Sequence, residues 1–260
     1  MQATQQPMKA NYGLDAPKVV RNFFFCGAAL MLVGMAGFFW LAPLIGDNAT
    51  FVRIIVNIIA ITIMISGLSW LITDGLMIWS SFYGKMQARN RLLDGLQLRG
   101  DETVLDVGCG RGLLLIGAAK RLSCGRVLGL DLWSQEDQSG NCKATTLANA
   151  AAEGVANRIE IHDGDMRKMP FANASVDVVV ASLSIHNIYN REGRRRAINE
   201  IVRVLKPGGK VALMDMRHVK QYAQDLQVAG IRDVHVSGLN FWIYPPVRTV
   251  TGIKPISSHM

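Results

Sequence analysis

The residues with the clearest chemical capacity lie between positions 104 and 187. The run VLDVGCGRG (104–112) sets Asp106 near the end of an apolar stretch and then repeats glycine at every second position, Gly108, Gly110 and Gly112. Glycine accepts positive φ and carries no Cβ, so a turn of this kind lets a nucleotide lie directly on the backbone. Dinucleotides and other nucleoside cofactors both use such turns, but the spacing here is GxGxG with Leu at 113, which departs from the GxGxxG of dinucleotide folds. Asp106 has the chemistry to orient the loop amides or meet an ammonium group, and equally to cap the turn. Asp131 closes the next apolar run, VLGLDLW, 19 residues beyond Gly112. A carboxylate there can accept hydrogen bonds from both hydroxyls of a ribose. Trp133 beside it suits packing on an adenine face or on the rim of the core. In HDGDMRKMPF, Asp165 suits acceptance from an exocyclic amine while the Met166 amide reads a ring nitrogen; alone, the GD pair is a turn signal. VDVVVASLSIHNIYN then delivers His186 and Asn187. Imidazole is the side chain best matched to general-base work near neutrality, and a histidine that only holds its loop has the same composition.

These groups need a scaffold that brings strand ends together. Strand-like apolar runs occur at Thr103–Val107, Arg126–Leu130, Ile159–Ile161, Val176–Ala181, Lys210–Met214, Val234–Val236 and Val247–Ile253. Helical patterns, LLLIGAAKRL, KATTLANAAAEG and RRRAINEIVRVL, separate the early ones, the last with Ile198, Ile201, Val202 and Leu205 on one face. Strand alternating with helix calls for a parallel sheet covered on both faces, an α/β fold with its ligands at the carboxyl ends of the strands. The last two strands have only SGLNFWIYPP between them, which predicts an antiparallel pair at the sheet edge. LKPGGK, residues 205–210, reads as a helix stop that opens a strand. Asp215, Arg217 and His218, after the fifth strand, read as surface residues or a far wall, His162 as structural, and Arg194, Arg195 and Arg196 as a solvated or lipid-facing basic edge.

Taken together, Asp106 to Gly112, Asp131, GDMRKMPF, VDVVVASLSIHNI and LKPGG stand in the order and spacing of the class I S-adenosylmethionine-dependent methyltransferases, which residues 85–260 resemble. The resemblance is to the bacterial group that acts on small molecules and lipids. It implies a seven-stranded, mostly parallel Rossmann-like sheet with an antiparallel last strand, and S-adenosyl-L-methionine as cofactor. Cofactor contacts are implied for Asp106, Gly108, Cys109, Gly110 and Gly112, for Asp131 and Leu132 at the ribose, for Asp165 and Met166 at the adenine, and for Ala181 and Ser182 at the methionine part. His186 and Asn187 are the candidate catalytic residues.

The preceding hundred residues are of another kind. Phe23–Ile45 carries no charged residue across 23 positions, and at ~1.5 Å per residue it reaches ~34 Å, enough for the ~30 Å core of a bilayer. Ile54–Thr73 repeats the feature with Asn57 as its main interruption. Two spanning helices at about 23–45 and 54–73, within 21–80, are the expectation, preceded by a flexible tail over 1–20. An amphipathic connecting helix over 81–98 and a cofactor-binding domain over 99–260 follow. Lys9, Lys18 and Arg21 before the first span and Lys85, Arg89 and Arg91 after the second put both ends and the domain on the cytoplasmic side. From residue 81 onward there are 24 Lys and Arg against 17 Asp and Glu, an excess that suits an anionic leaflet. No aromatic-interleaved motif points to nucleic acid. Cys26, Cys109, Cys124 and Cys142 show neither CxxC pairing nor zinc spacing with histidine, so no metal is expected. LNFWIYPPV, residues 239–247, crowds large apolar groups that cannot all point inward in an extended chain. The reading that joins these features is a membrane-anchored methyltransferase acting on a hydrophobic or membrane-associated small molecule or lipid. The alternatives are the same chemistry on a soluble thiol or amine, and a non-catalytic cofactor-binding subunit of a membrane complex.

Overall fold

The computed structural model of the chain describes residues 10–134 and 140–256. The chain divides into two compact units, Leu14–Ser81 on the one hand and the residues up to Gly13 together with everything from Phe82 on the other.

The first unit is a pair of helices, α1 (Pro17–Ala36) and α2 (Thr50–Trp79). Pro17 opens α1, where its missing N–H costs nothing, and a π turn at Gly37–Leu41 and a 3-10 turn at Ala42–Leu44 carry it to the connection. Both helices are long and apolar enough to cross a bilayer by length and composition, and only 11% of the most apolar window of each is buried within the chain. A core helix of a soluble domain would be largely covered, whereas Phe25, Trp40, Phe51 and Ile65 all stand exposed. The two helices touch backbone to backbone: a Cβ added to Gly34 would lie 2.8 Å from Ala60 O, and one added to Gly67 would lie 2.8 Å from Gly27 O. Small residues at such a seam supply close van der Waals contact, which drives helix pairing when apolar exposure does not. The helix α1 begins inside the stretch expected to be a flexible tail, and Tyr12 before it is 6% exposed; that tail reading therefore gives way from Ala10 onward. Residues 1–9, the rest of it, lie outside the described residues, as do the last four of the domain expected over 99–260.

In the second unit α3 (Lys85–Gly95) precedes an alternating series: β1 (Thr103–Val107), α4 (Leu113–Ala119), β2 (Arg126–Asp131), α5 (Lys143–Ala152), β3 (Ile159–Asp163), β4 (Val176–Ser182), α6 (Arg191–Val204), β5 (Leu205–Asp215), α7 (Val219–Val228), β6 (Arg232–Val236) and β7 (Arg248–Ile253). The strands form one sheet in the order β3-β2-β1-β4-β5-β7-β6, parallel except for β7, which runs antiparallel to β5 and β6. This is the sheet expected from the sequence. Side-chain alternation sorts the core into two layers: Val104, Val178 and Val180 meet Leu93, Leu115 and Ile116 on one face, while Leu105, Val107 and Val179 meet Ile198, Ile201 and Tyr222 on the other. Each fully buried aliphatic side chain contributes roughly 1.5–3 kcal/mol. The leucines of the expected connecting helix, Leu92, Leu93 and Leu96, belong to the first layer. Two details differ from expectation. The helix α7 was not anticipated, and β5 begins at Leu205 rather than Lys210, with a register irregularity against β4 that absorbs Pro207 and the positive φ of Gly208.

Candidate active site

The parallel strands deliver their carboxyl ends to one edge of the sheet, and the residues singled out by type gather there. After β1 the chain turns through Gly108, Gly110 and Gly112 with φ of 74, 49 and 87°. At Gly108 the requirement is steric as well, because a Cβ would fall 2.3 Å from Ser184 Cβ. The Gly108 and Cys109 amides donate to Leu130 O at 2.7 and 3.1 Å, and Gly110 N–H donates to Asp131 Oδ2 at 2.7 Å. Asp106 does not orient these amides. Its Oδ2 accepts from Leu115 N–H at 2.8 Å, it is 2% exposed, and burial, reinforced by Asp131, pushes its carboxyl up to about 8. Cys109 is buried beneath Gly129, and burial pushes its thiol well above the ordinary range.

Asp131 stands at the end of β2 as a hub. Oδ1 accepts from Trp133 N–H at 2.7 Å and from Asn141 Nδ2 at 3.3 Å, while Oδ2 holds Gly110. The helix α5 supports the loop from outside: Thr146 Oγ1 donates to Gly110 O at 2.6 Å, and Asn149 Nδ2 donates to Arg111 O at 2.9 Å. Asn141, Thr146 and Asn149 were not singled out in the sequence. The available signal was two polar residues three apart in the otherwise alanine-rich KATTLANAAA.

The remaining residues of the cofactor set divide. Leu132 is 61% exposed, and Trp133 uses its indole N–H on Asp163 Oδ1 at 2.7 Å. Asp165 is engaged by the Arg167 guanidinium at 2.5–3.0 Å, which holds its carboxyl below the usual range, so any exocyclic amine would have to share it. Met166 reaches over the loop, its Cε 3.5 Å from where a Gly108 Cβ would be. Ala181 is buried in the α6/α7 layer and offers only its backbone to the edge, and Ser182 ends β4.

Beyond β4, Leu183 takes φ 52°, and Ser184 Oγ donates to Val107 O at 2.8 Å, binding this segment to the end of β1. Two residues on, His186 Nδ1 stands 2.7 Å from Asp215 Oδ1 at the end of β5, and its backbone N–H donates to Asp215 Oδ2 at 3.2 Å. Asp215 is 2% exposed, so the surface reading of it is wrong. Met216 N–H and Tyr222 OH complete its hydrogen bonds at 2.7 and 3.2 Å, and burial together with Asp215 raises the Tyr222 phenol. The Nδ1 side of the imidazole thus faces a buried carboxylate. Asn187 lies in the short 3-10 turn Ile185–Asn187, and the cap of α6 is Asn190, whose Oδ1 accepts from Gly193 N–H at 2.6 Å. Arg194 is likewise buried rather than a solvated edge. It donates to Ile188 O and Tyr189 O at 2.8 and 2.9 Å and to Gln221 Oε1 at 3.1 Å, fixing the segment after His186 from behind. His218 begins α7, and burial and Arg194 lower it. His162 stands 3.0 Å from Glu160 and edge-on to Phe171, a structural pairing. Among the described residues no cluster of metal-ligating groups occurs.

Residues 105–213, less than half of the chain, match a family whose description is "Methyltransferase domain". The chain is 30% identical over 130 residues to a demethylmenaquinone methyltransferase of Lactobacillus johnsonii, covering 49% of each protein. It is 31% identical over 134 residues to a sterol 4-C-methyltransferase of Caenorhabditis elegans, covering 52% of this chain and 37% of that one. The chain thus spans less than half the length of these curated relatives. In structure it is similar to a SAM-dependent methyltransferase from Aquifex aeolicus, with TM-score 0.51, 22% identity, and coverage of 64% of this chain and 88% of the other.

Proposed function

We propose that this chain is a membrane-anchored methyltransferase that moves the methyl group of S-adenosyl-L-methionine to a hydrophobic, membrane-associated small molecule or lipid, with its domain on the cytoplasmic side. The observation that carries the catalytic part is the close approach of Gly108 to Ser184, two residues before His186. It sets the cofactor loop and the His186–Asp215 pair side by side at the ends of neighbouring strands. S-adenosyl-L-methionine bound here would supply the methyl group, its S–CH3 bond breaking as the acceptor–CH3 bond forms in line, so alignment by the protein would account for up to ~7–11 kcal/mol. His186 Nε2 takes the proton that an O–H, N–H or activated C–H acceptor must lose, and Asp215 balances the resulting imidazolium. Asp131 is assigned to the ribose and Asp106 to the cationic end of the cofactor. Quinone and sterol rings, the acceptors in the names of the relatives above, suit the partly buried Leu183, Met216 and Trp242 that pack at this edge. The exposed apolar helices α1 and α2 supply the reason to seek the acceptor in a bilayer.

The decisive experiment incubates the purified chain in nanodiscs with labelled cofactor and total lipid and metabolite extract, then detects by mass what gains a methyl. A labelled apolar product supports the reading; a label found only in water-soluble material sinks the substrate class.

Two predictions belong to this reading. Because the folded value of Asp106 is raised, its carboxyl favours folding while protonated and loses that contribution as pH rises from the ordinary carboxylate range through about 8. A cationic ligand favours the ionised form. Affinity for S-adenosyl-L-methionine therefore increases with pH up to about 8, by at most about tenfold per unit, and then levels. Calorimetric titration across this range checks the slope, which Asp106→Asn should flatten.

The second concerns the 239–247 loop. Ile243 is buried and Trp242 packs beneath Arg91, 5.4 Å from the ring centre, but Leu239 and Phe241 stay 50% and 69% exposed. Phe241 is the lipid-facing residue of this loop. Phe241→Ser should reduce turnover of acceptor presented in vesicles without changing turnover of the same acceptor in detergent, and equal loss in both would remove the lipid role.

A further inference from the structure

We propose that residues 10–13 form a clasp on the cofactor loop, closed by Asn149 and Lys85 as positioning residues, so that cofactor affinity depends on the segment leading into the apolar helices. This rests on reading Gly108–Gly112 as the cofactor loop.

Asn149 is 5% exposed and spends its whole amide on the junction. Oδ1 accepts from Asn11 N–H at 2.9 Å, while Nδ2 donates to Asn11 O at 3.0 Å and to Arg111 O at 2.9 Å. One side chain thus grips the strap and the loop at once. Lys85, also 5% exposed, donates from Nζ to Tyr12 O at 3.0 Å and Gly13 O at 2.6 Å. Tyr12 is buried in the layer that contains Leu93 and Leu115, and its hydroxyl donates to Glu153 Oε1 at 3.3 Å. Gly13 has φ 73°, and a Cβ there would fall 2.3 Å from Arg111 Nη1, so the strap runs directly along the side chain of the loop residue.

Burying an ammonium and a primary amide is costly unless their hydrogen bonds are made. Here both are directed at Asn11, Tyr12 and Gly13, three residues that lie in no strand or helix of the domain. Those residues connect without interruption to Leu14, where the apolar unit begins. Lifting the strap removes Asn11 from Asn149, exposes the Asn149–Arg111 bond to water, and frees the Arg111 end of the loop to open. Release of the strap is therefore a route by which cofactor enters and leaves.

The test uses the full chain in nanodiscs and S-adenosyl-L-homocysteine as probe. Lys85→Met removes the ammonium. Gly13→Ala leaves it in place but drives a methyl into Arg111 from a backbone conformation that alanine resists. Loss of the charged hydrogen bonds in Lys85→Met, and displacement of the strap from Arg111 in Gly13→Ala, each predict a Kd about tenfold or more weaker. The defect should fall on KM for the cofactor rather than on kcat, with faster hydrogen exchange at the amides of 108–113. If Lys85→Met does not fold, Gly13→Ala decides. Both folded variants binding as tightly as the unsubstituted chain overturns the clasp alone. An unsubstituted chain that does not bind the probe overturns the cofactor reading and the clasp with it.

Discussion

His186→Ala is expected to lower kcat by about 10²- to 10⁴-fold, the usual contribution of a positioned general base, while S-adenosyl-L-homocysteine still binds. The expectation follows from the setting of the imidazole. Its Nδ1 is 2.7 Å from a carboxylate that is 2% exposed, and its backbone N–H is tied to the same group. The ring cannot turn without breaking that arrangement. Asp215 in turn is held by Met216 N–H and Tyr222 OH, so its oxygens are placed before any acceptor arrives. Asp215→Asn keeps one acceptor oxygen, turns an amide donor toward the partner of the other, and loses the charge that stabilises an imidazolium. It should therefore reduce kcat with little change in cofactor binding. Tyr222→Phe, which removes one support of the carboxylate, should give a smaller effect of the same kind. A His186→Ala variant with undiminished kcat would mean that the acceptor reaches the site already deprotonated, as a thiolate does, and the apolar O–H or C–H acceptor would have to be abandoned.

Asp131→Ala is expected to abolish cofactor binding at practical concentrations. Two hydrogen bonds from ribose hydroxyls to a carboxylate, at ~1.5–3 kcal/mol each, correspond to a loss of about 10²- to 10⁴-fold in affinity. The effect is compounded because Asp131 also accepts from Gly110 N–H and Trp133 N–H. Its removal leaves the loop amide without its acceptor and loosens the Trp133 turn, so the substitution harms both the ligand contact and the surface on which the ligand lies. Asp131→Asn retains one acceptor but points an amide donor at one of those N–H groups, and should fall between the two. Calorimetry with S-adenosyl-L-homocysteine, alongside thermal unfolding of the same preparations, separates the contributions: a variant that melts like the unsubstituted chain yet does not bind identifies the ribose role. Binding of Asp131→Ala within error of the unsubstituted chain would remove Asp131 from the cofactor site.

Several parts of this architecture were legible in local sequence. Thr103–Val107 and Arg126–Leu130 are short β-branched and aliphatic runs that end in turn residues or an acid, and both became strands within a residue of the expected bounds. The helix α7 escaped because Lys220, Gln221, Gln224, Asp225 and Gln227 equal its apolar residues in number; only Val219, Tyr222, Ala223 and Leu226, spaced for one face, betray it, and their burial is what makes it a helix here. Tertiary packing then outweighs a weak local preference. The arginines opening α6 illustrate the opposite error. RRR reads as a solvated edge, yet the first of the three points at the carbonyls of Ile188 and Tyr189, a partner choice that depends on how the preceding turn folds back.

What the amino-acid order determined by itself is the alternation that builds a doubly covered sheet, the glycines at 108, 110 and 112, and the acid at the end of β2. Each follows from constraints acting over a few residues: side-chain period, permitted φ, and the exposure of a strand end. What only the tertiary structure decided is which distant groups meet. His186 found Asp215 across 29 positions, and Asn149 joined Arg111, 38 positions from it, to Asn11, 138 positions from it. Buried polar atoms must be satisfied by whatever the packed chain brings within about 3 Å, and no local pattern records that distance.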